Sequence, residues 1–271
     1  WPFNGNANDE SVNTNNGTVN SATLTSDRFG NSNSAYDFDG IDDWIEIAYS
    51  NSIGIQNELS ISGWILMDGG TNSFTPPRFL EIRGAYGNGG DAGYVIRTYG
   101  NSQISRALEC RLYNNDGASN ISIPTTSNVS SLSWHHIVFT ANGNTGLANF
   151  YVDGVLLNSN QTNTIINNCN YNNNSLFLGA EPNLLGKWGG KLDDIGIWDR
   201  ELNLCEIEDL YNSNTQSCNP TTANLVISEI MYNPAESGTD STEYIEIYNN
   251  DSVTVNLDGY YFDAGVNYTF P

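Results

Sequence analysis

Short runs in which apolar and polar residues alternate recur along this chain of 271 residues. A period of two commits a segment to a half-buried strand rather than to a helix. ELSISGWILM (58–67) and SLSWHHIVFTA (131–141) alternate in this way. NFYVDGVLL (149–157) adds a hairpin, because Asp153-Gly154 supplies the positive φ angles of a tight type I′ turn. AYDFDGIDDWIEIAY (35–49) gives two apolar segments around an acidic turn, and NSLFLGA (174–180) and KLDDIGIW (191–198) give two more strands. Only RELNLCEIEDLYN (200–212) spaces Leu204, Ile207, Leu210 and Tyr211 by three and four, as a helix does. Many short strands with one late helical turn predict an all-β chain, built as an antiparallel β-sandwich.

Charged residues make up 15% of the chain, so solubility rests on Asn, Ser, Thr and Gly, the residues of polar turns. The charge is lopsided: 31 Asp and Glu stand against 9 Lys and Arg, a formal net charge of −22. Such a surface repels phosphate backbones and anionic lipid heads, which argues against nucleic acid and membrane-surface partners. It attracts cations, calcium above all, because a hard ion prefers oxygen ligands. No apolar run is long enough to cross a bilayer, so no membrane insertion is expected. The chain opens at Trp1 without an initiator Met or a signal peptide, and is expected to be part of something longer.

Four cysteines are present, Cys110, Cys169, Cys205 and Cys218, with no CxxC pair and two histidines, His135 and His136. That pattern supports zinc poorly and suits two disulfides in an oxidising compartment. Of the three possible pairings, the local bridge Cys205–Cys218 with Cys110–Cys169 is preferred. After Cys218 the texture changes: NPTTAN (219–224) reads as a linker, and LVISEIMYNP (225–234) starts a fresh alternating strand. EYIEIYNND (243–251) and VTVNLDGYYF (253–262) follow, too few strands for a closed sandwich.

Residues 1–218 resemble concanavalin A-like, laminin G-type domains of bacterial secreted proteins. The matching pieces are FNGNANDESVNTNNGTV (3–19), YDFDGIDDWIEI (36–47), LSISGWI (59–65), WHHIVFTANG (134–143), FYVDG (150–154), LFLGA (176–180) and GKLDDIGIWDRELNLCEIEDLY (190–211), in the family's order. The resemblance implies an antiparallel jelly-roll β-sandwich of the concanavalin A type. It also implies a lectin-like or adhesive role in a secreted or cell-surface protein, and calcium near a sandwich rim. Residues 225–271, with ISEIMYNP, EYIEIYN and VNLDGYYF, resemble the opening strands of the lamin-tail domain, a partial immunoglobulin-like β-sandwich with no known chemistry.

Strict alternation puts Lys191, Asp193, Ile195 and Ile197 on one face, so Asp193 is expected beside core isoleucines. A buried carboxylate needs partners. Backbone amides or a hydroxyl could serve; so could calcium. The segment NGNANDESVNTNN (4–16) is rich in side-chain oxygens, and in a jelly roll the first and last strands often lie side by side. The expected structural calcium site is therefore Asn6, Asp9, Asn16 and Asp193. A ligand site is expected on the Gly-rich loops 87–94 and 179–190, formed by Tyr86, Asp91, Glu181, Asn183 and Trp188. A Trp flanked by glycines offers a face on which sugars stack, and Tyr94 and Tyr99 could extend that platform. The competing reading of Trp188 is a ring folded onto the rim. Trp44 and Trp64 are expected to pack within the sheets.

Catalysis is not expected. Laminarinase-like jelly rolls carry ExDxE so that carboxylates project from one sheet face, and no such run occurs. Asp37 and Asp39 share a face, but a Gly-Ile turn follows; Glu243 and Glu246 point opposite ways. His135 and His136 also point opposite ways, one expected to cap a sheet edge and the other to meet solvent, and no GxSxG elbow supports a hydrolytic triad. The expected function is non-catalytic binding of extracellular polysaccharide or glycoprotein; the alternative is a spacer or adhesin module with no glycan ligand.

Overall fold

The computed structural model describes residues 1–68, 76–83, 93–99, 105–113, 119–161, 171, 174–212, 225–231 and 244–249. The chain divides into two compact units, Trp1–Asn212 and Ser213–Pro271. The described residues of the first unit begin with β1 (Gly17–Asn20), β2 (Thr23–Thr25), β3 (Ala35–Asp39), β4 (Trp44–Ile47) and β5 (Glu58–Met67). Next come β6 (Arg78–Ile82), β7 (Gly93–Tyr99), β8 (Ser105–Tyr113), β9 (Ser119–Pro124) and β10 (Val129–Ser130). The unit closes with β11 (Trp134–Asn142), β12 (Leu147–Val152), β13 (Val155–Gln161), β14 (Leu176–Leu178), β15 (Gly189–Trp198) and α1 (Leu204–Asn212).

These strands form two antiparallel sheets. One runs β1-β4-β14-β6-β7-β8-β10 with β9 also against β8, and the other runs β13-β12-β11-β5-β15-β3-β2. Alternation decides what lies between them. Leu59, Ile61 and Ile65 of β5 and Ile137 and Phe139 of β11 point inward, against Ile45, Ile47, Leu80, Ile82 and Ile96 of the facing sheet. Interleaved positions such as Trp64, Val138 and Tyr151 face outward, and α1 covers part of that outer surface through Ile207. The result is the jelly-roll sandwich the sequence predicts. The predicted hairpin turn is present too: Asp153 and Gly154 have φ of 51° and 76° between β12 and β13.

Two local departures have plain causes. The helix begins at Leu204 rather than at Arg200 because Asn203 caps it. Asn203 Oδ1 accepts from the Glu206 amide at 3.0 Å while Glu206 Oε2 accepts from the Asn203 amide at 2.9 Å, a reciprocal capping box. In β15, Asp193 pairs with Trp64 but Gly196 with Ser62, so Asp194 and Ile195 together oppose Gly63. Asp194 takes a left-handed φ of 47° to absorb the extra residue.

The second unit contributes β16 (Leu225–Met231) and β17 (Tyr244–Asn249), paired antiparallel. Val226, Ile227, Ile230, Tyr244 and Tyr248 are exposed on this ribbon. The strand predicted at 253–262 lies outside the described residues. No described helix is long and apolar enough to cross a membrane.

Candidate functional site

At one end of the sandwich the N-terminal segment, the loop after β4 and the end of β15 enclose a groove of about 650 Å³. Trp1, Glu10, Asn13, Asn15, Asn51, Gln56, Trp198 and Asp199 are among its lining residues. Main-chain pairing places the first wall: Trp1 N donates to Ile195 O at 2.9 Å and Ile195 N returns a bond to Trp1 O at 3.0 Å. The Trp1 indole N–H donates to Asn15 O at 2.7 Å, which fixes the ring. Asn15 in turn bonds Ser52 and Ser50, at 2.9 and 2.7 Å, tying the N-terminal loop to the opposite wall.

The second wall is anchored from below. Buried Tyr94 donates its hydroxyl to Ile53 O at 2.9 Å, and buried Tyr171 donates to Ile55 O at 2.5 Å. Tyr94 therefore supports the groove from the core rather than joining a surface platform. Trp198 forms the third side. It packs against the cluster of Val138, Tyr151, Leu202 and Ile207, and its ring lies so close over Gly196 that a Cβ there would come within 2.2 Å of it. Trp1 and Trp198 are both half-buried and both line the groove, Trp1 packing against the main core as well. Two indoles amid amide and hydroxyl groups on a braced frame make a surface that can stack on apolar sugar faces and bond their hydroxyls.

The residues expected on the rim loops behave differently. Trp188 is 1% exposed and lies in the core with its ring edge-on to Phe79 at 6.4 Å. The flanking glycines have a backbone purpose: Gly190 has φ of 125°, and a Cβ on it would come within 2.0 Å of Leu66 O. They let the chain turn the indole inward, so Trp188 is a core residue, not a stacking platform. Glu181 is also buried, ion-paired with Arg78 at 3.1 Å, and Arg78 reaches Glu81 at 2.7 Å. Burial pushes the Glu181 carboxyl up, against the pull of Arg78. Asn183 is exposed and uses its Oδ1 to accept from the Leu185 amide at 3.2 Å. Tyr86 and Asp91, and the Tyr99 side chain, lie outside the described residues.

The expected calcium ligands do not converge. The β15 bulge resets the alternation, so Leu192 and Ile195 both face the core while Asp193 faces out toward α1. There Arg28 neutralises it at 2.9 Å, and the same guanidinium lies 4.4 Å from the Trp64 ring centre. Asp193 is pushed up to about 7 by burial and by Asp194, with Arg28 pulling the other way. Asp9 is elsewhere, its carboxylate accepting from the Ser11 and Asn15 amides at 2.8 Å each. Asn6 Oδ1 accepts from Asn8 N and Asn16 Oδ1 from Asp9 N. These oxygens hold a loop, and the four residues do not fit one cation.

Cys110 is a buried, free thiol, which removes the expected bridge to Cys169, a residue outside the described set. Cys205 is disulfide-bonded, and Cys218 lies outside the described residues.

His135 keeps partial exposure and bonds the edge strand β10, whereas the other histidine does not meet solvent as expected. His136 is buried, its Nε2 2.8 Å from Ser62 Oγ and its ring 5.2 Å from Trp64. Burial drives its pKa down to about 4. His135 takes Ser130 Oγ on Nε2 and Asp153 Oδ2 on Nδ1, both at 2.7 Å, while Asp153 Oδ1 accepts from the His136 amide at 2.9 Å. The serine–histidine–aspartate order is that of a hydrolytic triad, which spacing along the chain could not reveal. Here it ties β10 of one sheet to β11 of the other, and none of the three residues lines the groove. A second cleft, of about 570 Å³, is lined by Asp37, Asp39, Asp42, Asp43, Asp68 and Lys191. Asp39 accepts from the Ile41 and Asp42 amides, and Asp43 from the Asp39 amide, so these acids cap the turn between β3 and β4.

Two antiparallel sheets in this strand order make a concanavalin A-type jelly roll. The chain belongs to the concanavalin A-like lectin/glucanases superfamily, whose laminin G-type family model matches residues 38–208. The lamin tail domain model matches residues 219–271. No curated protein matches the chain. Among solved structures, the binding domain of Paraclostridial mosquitocidal protein 1 is 22% identical, with a TM-score of 0.56 over 76% of this chain and 49% of that one. The binding domain of botulinum neurotoxin serotype G is 19% identical, TM-score 0.54, over 76% and 48%. Domain 4 of AbnA, an extracellular arabinanase from Geobacillus stearothermophilus solved with arabinotriose, is 18% identical, TM-score 0.52, over 77% and 94%. The chain thus spans about half the length of the two toxin binding domains. At these identities the likeness is one of fold.

Proposed function

We propose that the first unit is a non-catalytic carbohydrate-binding module that holds an oligosaccharide in the groove between Trp1 and Trp198. The observation that carries this reading is the pair of half-buried indoles on a groove with amide and hydroxyl walls. Supporting it, an arabinanase domain of the same fold was solved with arabinotriose. The module belongs to a secreted or cell-surface protein whose ligand is an extracellular polysaccharide or glycoprotein; the disulfide at Cys205 suits that setting. In this reading residues 1–218 form the binding module, 219–224 a linker, and 225–271 the start of the lamin-tail domain.

Isothermal titration with neutral arabino- and xylo-oligosaccharides tests the proposal. Trp198→Ala is expected to weaken binding by tenfold or more, about 1.4 kcal/mol. The fold is checked on the same sample by melting. If no oligosaccharide binds, or if Trp198→Ala binds as tightly as the parent, the groove is not the site and the spacer reading gains.

A further inference from the structure

The groove is polar, and the charged side chains that line it are all acidic. Asp9, Glu10 and Asp199 line it, and among the described residues no Lys, Arg or His does. The basic side chain next in sequence, Arg200, is turned away and held by both carboxylate oxygens of Glu206, at 2.8 and 2.6 Å. The cation among the described lining residues is the Trp1 ammonium, which donates to Ile195 O at 2.9 Å and whose pKa burial lowers against the pull of Asp9, Asp194 and Glu10. Burial works to raise the Asp9 carboxyl, but hydrogen bonds from Ser11 and Asn15 outweigh it and hold the group below the ordinary carboxylate range. It therefore stays ionised at neutral pH. Glu10 and Asp199 are exposed on the rim. The net charge of −22 adds a long-range field of the same sign.

A carboxylated sugar entering here would lose hydration without meeting a cationic side chain, and would approach three acids that outnumber the single Trp1 ammonium. A neutral sugar meets no such penalty, since its hydroxyls can donate to the same carboxylates. Resting on the glycan-binding reading above, we propose that the groove selects glycans free of acidic groups and rejects uronic-acid-bearing ones by like-charge repulsion. The acids on the rim act as the discriminating residues, while the indoles supply the shared affinity.

The test compares a neutral xylo-oligosaccharide with the same oligosaccharide bearing one glucuronic acid, by titration at low salt. The neutral ligand is expected to bind at least tenfold tighter. Raising the sodium chloride to 0.5 M shrinks that ratio, because exposed charges are then screened. In the double variant Glu10→Gln, Asp199→Asn the ratio falls toward one at low salt. If the neutral ligand binds and the acidic one binds equally well, or if the ratio ignores both salt and the double variant, the selection is overturned while the glycan reading stands. If neither ligand binds, both fall together.

Discussion

Two places on the first unit combine tryptophan with carboxylates, and they come to opposite ends. Under α1, Trp64 is covered: Arg28 lies on one part of it and Tyr211 stacks at 5.8 Å, with His136 alongside. The acid there, Asp193, is matched by a guanidinium within the same small volume. At the groove, Trp1 and Trp198 are half-buried, and Glu10 and Asp199 are exposed with no described basic side chain lining the space. Residue types alone do not make a binding site. What separates the two regions is whether the fold itself supplies the partner: a helix and an arginine close the first, and nothing among the described residues closes the second.

The comparison breaks most sharply at Arg28. Arg28→Ala strips the buried carboxylate of its cation and Trp64 of a covering group, and is expected to cost about 3 kcal/mol of unfolding free energy in urea titration. Millimolar calcium should not restore it. Recovery by calcium would mean that Asp193 belongs to a metal site after all. Affinity at the groove should be unchanged.

A second test uses pH. Burial holds His136 near 4, below its ordinary value of 6.5, so the unfolded chain takes up the proton first as pH falls. Its contribution to stability is complete above pH 6.5 and is lost toward pH 4, by about 3 kcal/mol if the whole shift is realised. Asp193 works with the opposite sign. Its carboxyl is raised from 3.8 to about 7, so its folded state binds the proton more readily and its contribution falls as pH rises through that window. His136→Gln should therefore flatten or reverse the acid loss between pH 6.5 and 4, and Asp193→Asn should steepen it. Identical pH profiles in both variants would show that this region is not sealed from solvent.

The mildest test is at the groove. Gly196→Ala puts a methyl where the Trp198 ring now lies, and should reduce oligosaccharide affinity severalfold by tilting the indole. An unchanged affinity, with a normal melting temperature, would show that the position of Trp198 does not matter and would remove the open half of the comparison.

Much of the scaffold was legible along the chain because strands announce themselves by local period. β5, β11, the Asp153-Gly154 hairpin and β15 fall where alternation and turn chemistry place them. The β15 bulge was not legible: one extra residue reverses every later side chain, and its cause is the pairing with β5 and the bare Gly63 opposite, both distant in sequence. That single shift moved Asp193 from the expected core face to the outer one. Trp188 misled for a related reason, since glycine neighbours signal a bend but not its direction. Alternation marks Trp198 only as a strand residue; its further signal is the small Gly196 two positions earlier, on which a ring can lie.

Although no alternating run announced β1, β2 or β6 to β10, the chain's own residues determined the class of fold, the family, and the negative charge that governs any partner. Those properties follow from local pattern and from sums over composition, neither of which needs a partner residue to be known. Tertiary structure decided which tryptophans are inside, which acids are neutralised, and that Trp1, Asn15, Ser52 and Trp198 meet around one groove. Such meetings depend on register between segments as far apart as residues 1 and 195, and a contact of that reach leaves no trace in the spacing of either segment.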